Sequence, residues 1–241
     1  NTVDFDVSPM SALRDLWTPL KLINQNILVS PNGANLNINT SYGTLWGNGI
    51  GWATNQLNPD SITITAKTQA SFYYRTQTGG TASAVTTIDP TKYDVGGVIT
   101  SMGGAASNHA SNQRVYLYPT GVINILYGQT NYASLTAAIA GLQTETFITY
   151  PNASNNGILI GTISVRNDIV ADGQPLTNTS YAKFTLVSKF GEVLVVLVVY
   201  QQQHFNKRMI IQYHQKLLQM QYWVRYLLRM VQEMLIMLQF I

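Results

Sequence analysis

The chain has no cysteine among its 241 residues, which excludes disulfides and thiolate metal sites. Histidine is nearly as scarce, and none of the three falls in an HExxH or other metal-ligand spacing. Charge is low as well. Only 10% of residues are Asp, Glu, Lys or Arg, against roughly 25% in an ordinary soluble domain. The clustered Lys and Arg of a nucleic-acid binder are missing, so no nucleic-acid partner is expected. No P-loop, G-x-S-x-G or G-x-G-x-x-G pattern occurs; Gly47, Gly49 and Gly51 lack the third spacing and a following helix. The carboxylates Asp60, Asp89, Asp94, Glu145, Asp168 and Asp172 are scattered. Two of them meeting in space would make a glycosidase pair, which the sequence leaves open. The residue types therefore suggest no catalytic, cofactor-binding or metal-binding set, and the protein is expected not to be an enzyme.

In place of charge the chain carries Asn, Thr, Ser, Gln, Gly and Tyr. A neutral polar surface repels other copies weakly, which suits packing into an assembly. The net charge of +3 is uneven. Residues 1–203 hold nine Lys/Arg and ten Asp/Glu, whereas residues 204–241 hold five Lys/Arg and one Glu. The basicity belongs to the tail. The chain begins at Asn1 without a Met or a secretory pattern, as a fragment lacking its beginning would.

Three regions follow from composition: an N-terminal helix with an Asn/Gly-rich connection (1–60), a β-rich domain (61–192) and an atypical helical tail (193–241). Ser8 as N-cap and Pro9 at the first helical position predict an amphipathic helix over about 9–17, with Met10, Leu13 and Trp17 on one face. Ile27–Val29 and Leu36–Asn39 read as short strands around a Pro31-Asn32-Gly33 turn. Trp46 and Trp52 flank a glycine-rich loop. Such rings stack on sugars, and they also anchor cores and interfaces. Ser61–Lys67 and Ala70–Thr76 read as strands, the second carrying Tyr73 and Tyr74. These four aromatics, Trp46, Trp52, Tyr73 and Tyr74, are the candidate glycan or interface residues. Residues 88–93 read as a polar connection. The stretch MGGAASNHASNQ after Gly97–Thr100 reads as a mobile loop with His109 in solvent.

The clearest local pattern is QRVYLYPTGVINILYGQTNYASLTAAIAGLQTETFITYP, from Gln113 to Pro151. Val115 and Leu117 alternate with Tyr116 and Tyr118, Pro119-Thr120-Gly121 turns, and Ile123, Ile125 and Tyr127 alternate with Val122, Asn124 and Leu126. That is a β-hairpin. A helix over about 132–140 follows, capped by Thr130 or Asn131, with Tyr132, Leu135, Ile139 and Leu142 along the side that packs on the sheet. Gly141 stands where a left-handed C-terminal residue belongs. Thr146–Tyr150 reads as a returning strand, Pro151–Gly157 as a turn, Ile158–Arg166 as a long strand with a bulge at Gly161, and Tyr181–Ser188 as the last strand.

At Gly191 the character changes. All 18 glycines and 8 prolines lie at or before it, and five of the seven methionines lie after it. Propensity predicts a helix over about 203–238, too interrupted by Gln, Lys and Arg to span a membrane. Rereading the coding frame one base out of step turns the Val-rich run into a glycine-rich one, followed by S-T-T-T-L-Q-Q-A-Y-D-N-S in one-letter code. Residues from about 193 onward therefore read as a frameshift product, and this helix is of doubtful origin. The expected fold is mainly β, an antiparallel β-sandwich-like domain with these short helices.

The run from TKYDVGGVITSMGG through the hairpin stretch, NNGILIGTISVRNDI and AKFTLVSKFGE resembles virion structural proteins of the tail-fibre type. These belong to tailed bacteriophages and large DNA viruses. WGNGIGWATNQLNPDSITITAKTQASFYYRTQTGG resembles the preceding part of the same proteins. In them the segment after F-G-E is glycine-rich, which is the text the shifted frame recovers. The resemblance covers roughly residues 45–192 and carries no catalytic motif. It implies a structural role in a fibre or appendage of the virion, as a homo-oligomer and specifically a homotrimer, beside other virion proteins. It also implies a contribution to host attachment, including contact with a host-surface glycan. A carbohydrate-binding adhesin module and a polysaccharide-degrading enzyme are the alternatives.

Overall fold

The computed structural model describes residues 21–80, 83–103 and 108–191. The expected helices over 9–17 and 203–238, and the reading of the tail as a frameshift product, lie outside the described residues.

The hairpin forms as the turn chemistry dictates. Strand β10 (Ala110–Leu117) pairs antiparallel with β11 (Ile123–Leu126), placing Val115 opposite Ile125 and Leu117 opposite Ile123. The Gly121 amide donates to Tyr118 O at 2.8 Å and the Tyr118 amide to Val122 O at 2.9 Å. Gly121 has φ of 77°. A turn closed by a left-handed glycine is the usual three-residue hairpin loop, and it matches the twist of the flanking strands.

The hairpin sits at the centre of a six-stranded sheet. Its neighbours are β6 (Phe72–Arg75), β7 (Ala84–Val85), β12 (Ile158–Arg166) and β13 (Ala182–Thr185), in the order β13-β12-β10-β11-β6-β7. All pairs are antiparallel except β11 with β6. The two longest strands of this sheet, β10 and β12, are buried on both faces over nearly their whole length.

The two faces are chemically different. One presents Val115, Leu117, Ile123, Ile125, Ile160, Ile163 and Val165 together with Phe72, Tyr74 and Tyr127. It packs on two smaller sheets. The first joins β1 (Ile23–Gln25), β4 (Gly43–Trp46) and β5 (Ser61–Ile64); the second joins β2 (Val29–Pro31) and β3 (Ile38–Thr40). Ile27, Val29, Ile38, Leu45 and Ile64 complete this core from the opposite side. The fold is therefore mainly β with antiparallel sheets in sandwich-like layers, as expected. Because β4 pairs with β5 from Gly43↔Ile64 to Trp46↔Ser61, residues on either side of position 60 share one sheet. No structural boundary runs there.

Gly161 shows how closely the layers approach. The register of β10 against β12 shifts between Val115 and Tyr116, so Ile160 is the extra residue of a bulge beside Gly161. A Cβ on Gly161 would stand 2.2 Å from Val29 Cγ1 of the facing sheet. The bulge also returns Ile158 and Ile160 to the apolar side while Leu159 joins the opposite face.

That opposite face carries Asn112, Arg114, Tyr116, Tyr118, Asn124 and Ser164. It is covered by helix α1 (Leu135–Gly141), an extended segment over 145–150 and helix α2 (Pro151–Asn156). Four expectations change here. The N-cap of α1 is Ser134, whose side chain accepts from the Ala137 amide, rather than Thr130 or Asn131. Gly141 is not left-handed. It is glycine because a Cβ would lie 2.2 Å from Tyr132 Oη. Thr146–Tyr150 joins no strand, since its side chains bond to the sheet face instead of its backbone joining a ladder. Pro151–Asn156 is a helix with Pro at the first position, not a turn.

The sequence-expected loop at 102–113 is also shorter than its composition suggested. Ala110–Gln113 are the buried first half of β10, and His109 Nδ1 lies 2.8 Å from Asn131 Oδ1 rather than free in solvent. Within the expected polar connection and just beyond, β8 (Lys92–Val95) and β9 (Val98–Ser101) form a hairpin through Gly96 and Gly97, both with positive φ.

Candidate functional site

Of the six carboxylates, Asp168 and Asp172 come near one another, around Arg166 and Tyr181. Asp60 accepts from the Gly49 amide at 2.8 Å and holds the β4–β5 loop. Asp89 accepts from the Thr91 amide and hydroxyl and pairs with Lys92 at 3.3 Å. Asp94, buried, accepts from the amides of Gln77 and Gly97 and anchors the β8–β9 hairpin. Asp168 pairs with Arg166, and Asp172 accepts from the Tyr181 hydroxyl at 2.8 Å. Each carboxylate terminates a turn or joins two segments.

Glu145 has the largest set of side-chain partners among them. Its side chain is 3% exposed and lies 3.2 Å from Arg114 Nη2. Tyr132 Oη donates to it at 2.9 Å, and Asn112 Nδ2 donates at 3.2 Å. The Arg114 guanidinium also stacks 3.9 Å from the Phe147 ring centroid. Burial, then the hydrogen bond to the Glu145 carboxylate, pushes the Tyr132 phenol up to about 12. A carboxylate whose oxygens are both taken by donors, sealed under α1, is a clamp between helix and sheet. It is not a general base with access to solvent.

The four candidate aromatics land in four environments. Tyr74 is buried in the main core, stacked on Tyr127 at 4.2 Å. Its hydroxyl donates to Gln113 Oε1 at 2.9 Å and accepts from the Asp89 amide at 2.7 Å. It has no surface to offer a ligand, because β6 alternates and Phe72 and Tyr74 both face inward. Tyr73, on the other face of β6, is half-buried with the Arg75 guanidinium 5.6 Å from its ring centre. Trp52 stands in the β4–β5 loop and is 59% exposed. The set does not form one groove.

Trp46 is different. It ends β4, on the outer face of the three-stranded sheet, where the pairing sets it beside Ile23 and Ser61 and puts Gln25 opposite Thr44. Its Nε1 donates to Gln25 Oε1 at 2.9 Å, which fixes the indole against β1. The ring is 38% exposed. It lines a groove of about 530 Å³ together with Ile23, Gln25, Asn26, Leu28, Val187 and Lys189. The segment after β13 forms the far wall, tied to β1 by the Asn24 amide donating to Lys189 O at 2.7 Å. Of the four candidates only Trp46 lines this groove. Gln25, Asn26 and Lys189 were not legible from sequence. They come from distant positions, and the Asn/Gln-rich run around β1 has no strand signature.

A second exposed feature is the β8–β9 hairpin. Val95 opposes Val98 and Tyr93 opposes Thr100, so the four share one face. Val98 is 67% exposed, and Val95 and Ile99 are about half exposed. Among the described residues, no group of three or more His, Asp or Glu is placed to hold a metal ion. No helix among them is long and apolar enough to cross a membrane. No protein-family model matches the chain, and neither a curated protein sequence nor a solved structure matches it significantly.

Proposed function

We propose that this chain is a non-enzymatic structural component of a virion appendage of the tail-fibre type, working in the virion as a homotrimer beside other virion proteins and contributing to host attachment. The virion assignment rests on the sequence resemblance over residues 45–192. The observation that best supports a scaffold is the β8–β9 hairpin, where Val95 and Val98 stand exposed beside the half-buried Tyr93 and Thr100 on a face without charge. Exposed apolar faces of this kind mark protein–protein contacts. The structural engagement of every carboxylate described above weighs against the polysaccharide-degrading alternative.

Sedimentation of the full chain tests this reading. The expected result is a trimer at micromolar concentration that Val98→Lys shifts toward monomer at least tenfold, with the thermal midpoint unchanged, because a substitution at an exposed position away from special contacts costs within about 0.5 kcal/mol. A wild-type protein that stays monomeric at all concentrations overturns it. The Trp46 groove favours the carbohydrate-binding adhesin module as a second reading, compatible with the first.

A further inference from the structure

We infer that the groove between β1 and the segment after β13 is a saccharide subsite in which Trp46 is the stacking platform. This deepens the carbohydrate-binding reading and rests on it. The pyranose ring has an apolar C–H face and a rim of hydroxyls. A complementary site needs a flat, immobilised apolar surface bordered by neutral donors and acceptors. Trp46 supplies the surface, and its orientation is set by the Nε1 bond to Gln25. That bond uses Gln25 Oε1 and leaves the Gln25 amide NH2 with no partner among the described residues. The Asn26 side chain likewise makes no hydrogen bond there, although its backbone O accepts from Ser41 Oγ. Both amides line the groove with the indole.

The border decides the class of sugar. Among the described residues no carboxylate lines the groove, and Lys189 is the one charged residue that does. Lys189 is exposed, so pairing with an acidic sugar strengthens binding by no more than about fivefold. A fixed aromatic platform and two free amides outweigh that. The groove therefore takes a pyranoside primarily through stacking and neutral hydrogen bonds, with at most a small preference for a uronic acid. Leu28 and Val187 on its walls fit the edge of an axial substituent or an adjoining ring.

The test uses the full chain, titrated with trisaccharides of glucose, galactose, mannose and galacturonate and followed by calorimetry and saturation-transfer NMR. At least one neutral trisaccharide is expected to bind at millimolar or tighter dissociation constant. Trp46→Ala is expected to weaken it about tenfold or more, the loss of a single stacking platform. Trp46→Phe, which keeps strand propensity and a smaller ring, is expected to fall between the two and guards against a misfolded Ala variant. Gln25→Ala should weaken binding severalfold, whereas Trp52→Ala should leave it unchanged. Binding that survives both Trp46 substitutions overturns the groove while leaving a sugar-binding protein. Absence of any saccharide binding overturns both. A change of sedimentation in Trp46→Ala without saccharide binding assigns the groove to contact between copies instead and also overturns it. The scaffold reading is judged separately, by the Val98→Lys sedimentation result.

Discussion

Single residues in this protein matter most where a polar group is sealed between layers. Glu145 accepts from Arg114, Tyr132 and Asn112 at once, under helix α1. Removing the carboxylate leaves the largely buried Arg114 guanidinium without its counter-charge, while Asn112 keeps its bond to Ala138 O. Breaking one side of such a buried pair costs about 3–5 kcal/mol, much more than an exposed ion pair contributes. Glu145→Ala is therefore expected to lose about that much in urea unfolding. The double change Glu145→Met with Arg114→Met is expected to lose markedly less, since no orphaned charge remains. A double variant as damaged as the single one would show that packing, not the pair, carries the effect. Sequence pointed to Glu145 only as one of six scattered carboxylates, because its partners lie 13 to 33 positions away.

At the scale of the elements, the bulge on β12 is the point where strand geometry meets the facing sheet. Gly161→Ala must displace Val29, a buried β-branched side chain with few alternative rotamers. Overpacking of this kind costs about 1–3 kcal/mol. The prediction is a loss in that range by chemical denaturation, relieved by the compensating Val29→Ala change in the same chain. Additive losses in the double variant would count against the contact. Local chemistry made the β10–β11 hairpin and the β12 strand readable, since turn residues and alternation lie next to one another in the chain. It failed for Ala110–Gln113, whose Ser, Asn and Gln imitate a loop. Ser111 and Gln113 face the inner side and Asn112 the helix side, so the sheet buries polar residues on both faces. It failed too for 146–150, where β-branched and aromatic residues lie across a sheet instead of joining it. The short strands β1, β4 and β7 carry too few residues to show a period.

Across the whole molecule, the stacked layers enclose tyrosines. Burial is the leading cause that raises Tyr74, Tyr118, Tyr127 and Tyr132 above the unperturbed value of 10.0. Tyr127 and Tyr132 are each pushed up to about 12. In every case the folded state holds its phenolic proton more tightly than the unfolded chain does. Their stabilisation is complete below pH 10.0 and is lost progressively as pH rises through the folded values, near 12 for Tyr127 and Tyr132. Stability measured between pH 9 and pH 12 should be flat up to about 10 and then fall as the phenols ionise. Tyr132→Phe should make that fall shallower. A fall that begins well below pH 10, or is unchanged in the variant, would contradict the burial of these phenols.

The sequence by itself determined the class of fold and the central hairpin, because alternation, turn residues and composition are properties of neighbouring positions. It also supplied Trp46 as a candidate, but in company with Trp52, Tyr73 and Tyr74 and without a way to choose. Only the tertiary structure separated them. The choice depends on which face of which strand lies against another layer, and that is set by pairings between positions far apart in the chain. Tyr74 goes inward because β6 lies in the main sheet with its apolar side toward β1–β5, whereas Trp46 faces outward because Leu45 next to it fills the core. The partners that give Trp46 a groove, Gln25 on β1 and Lys189 beyond β13, reach it only when the layers close.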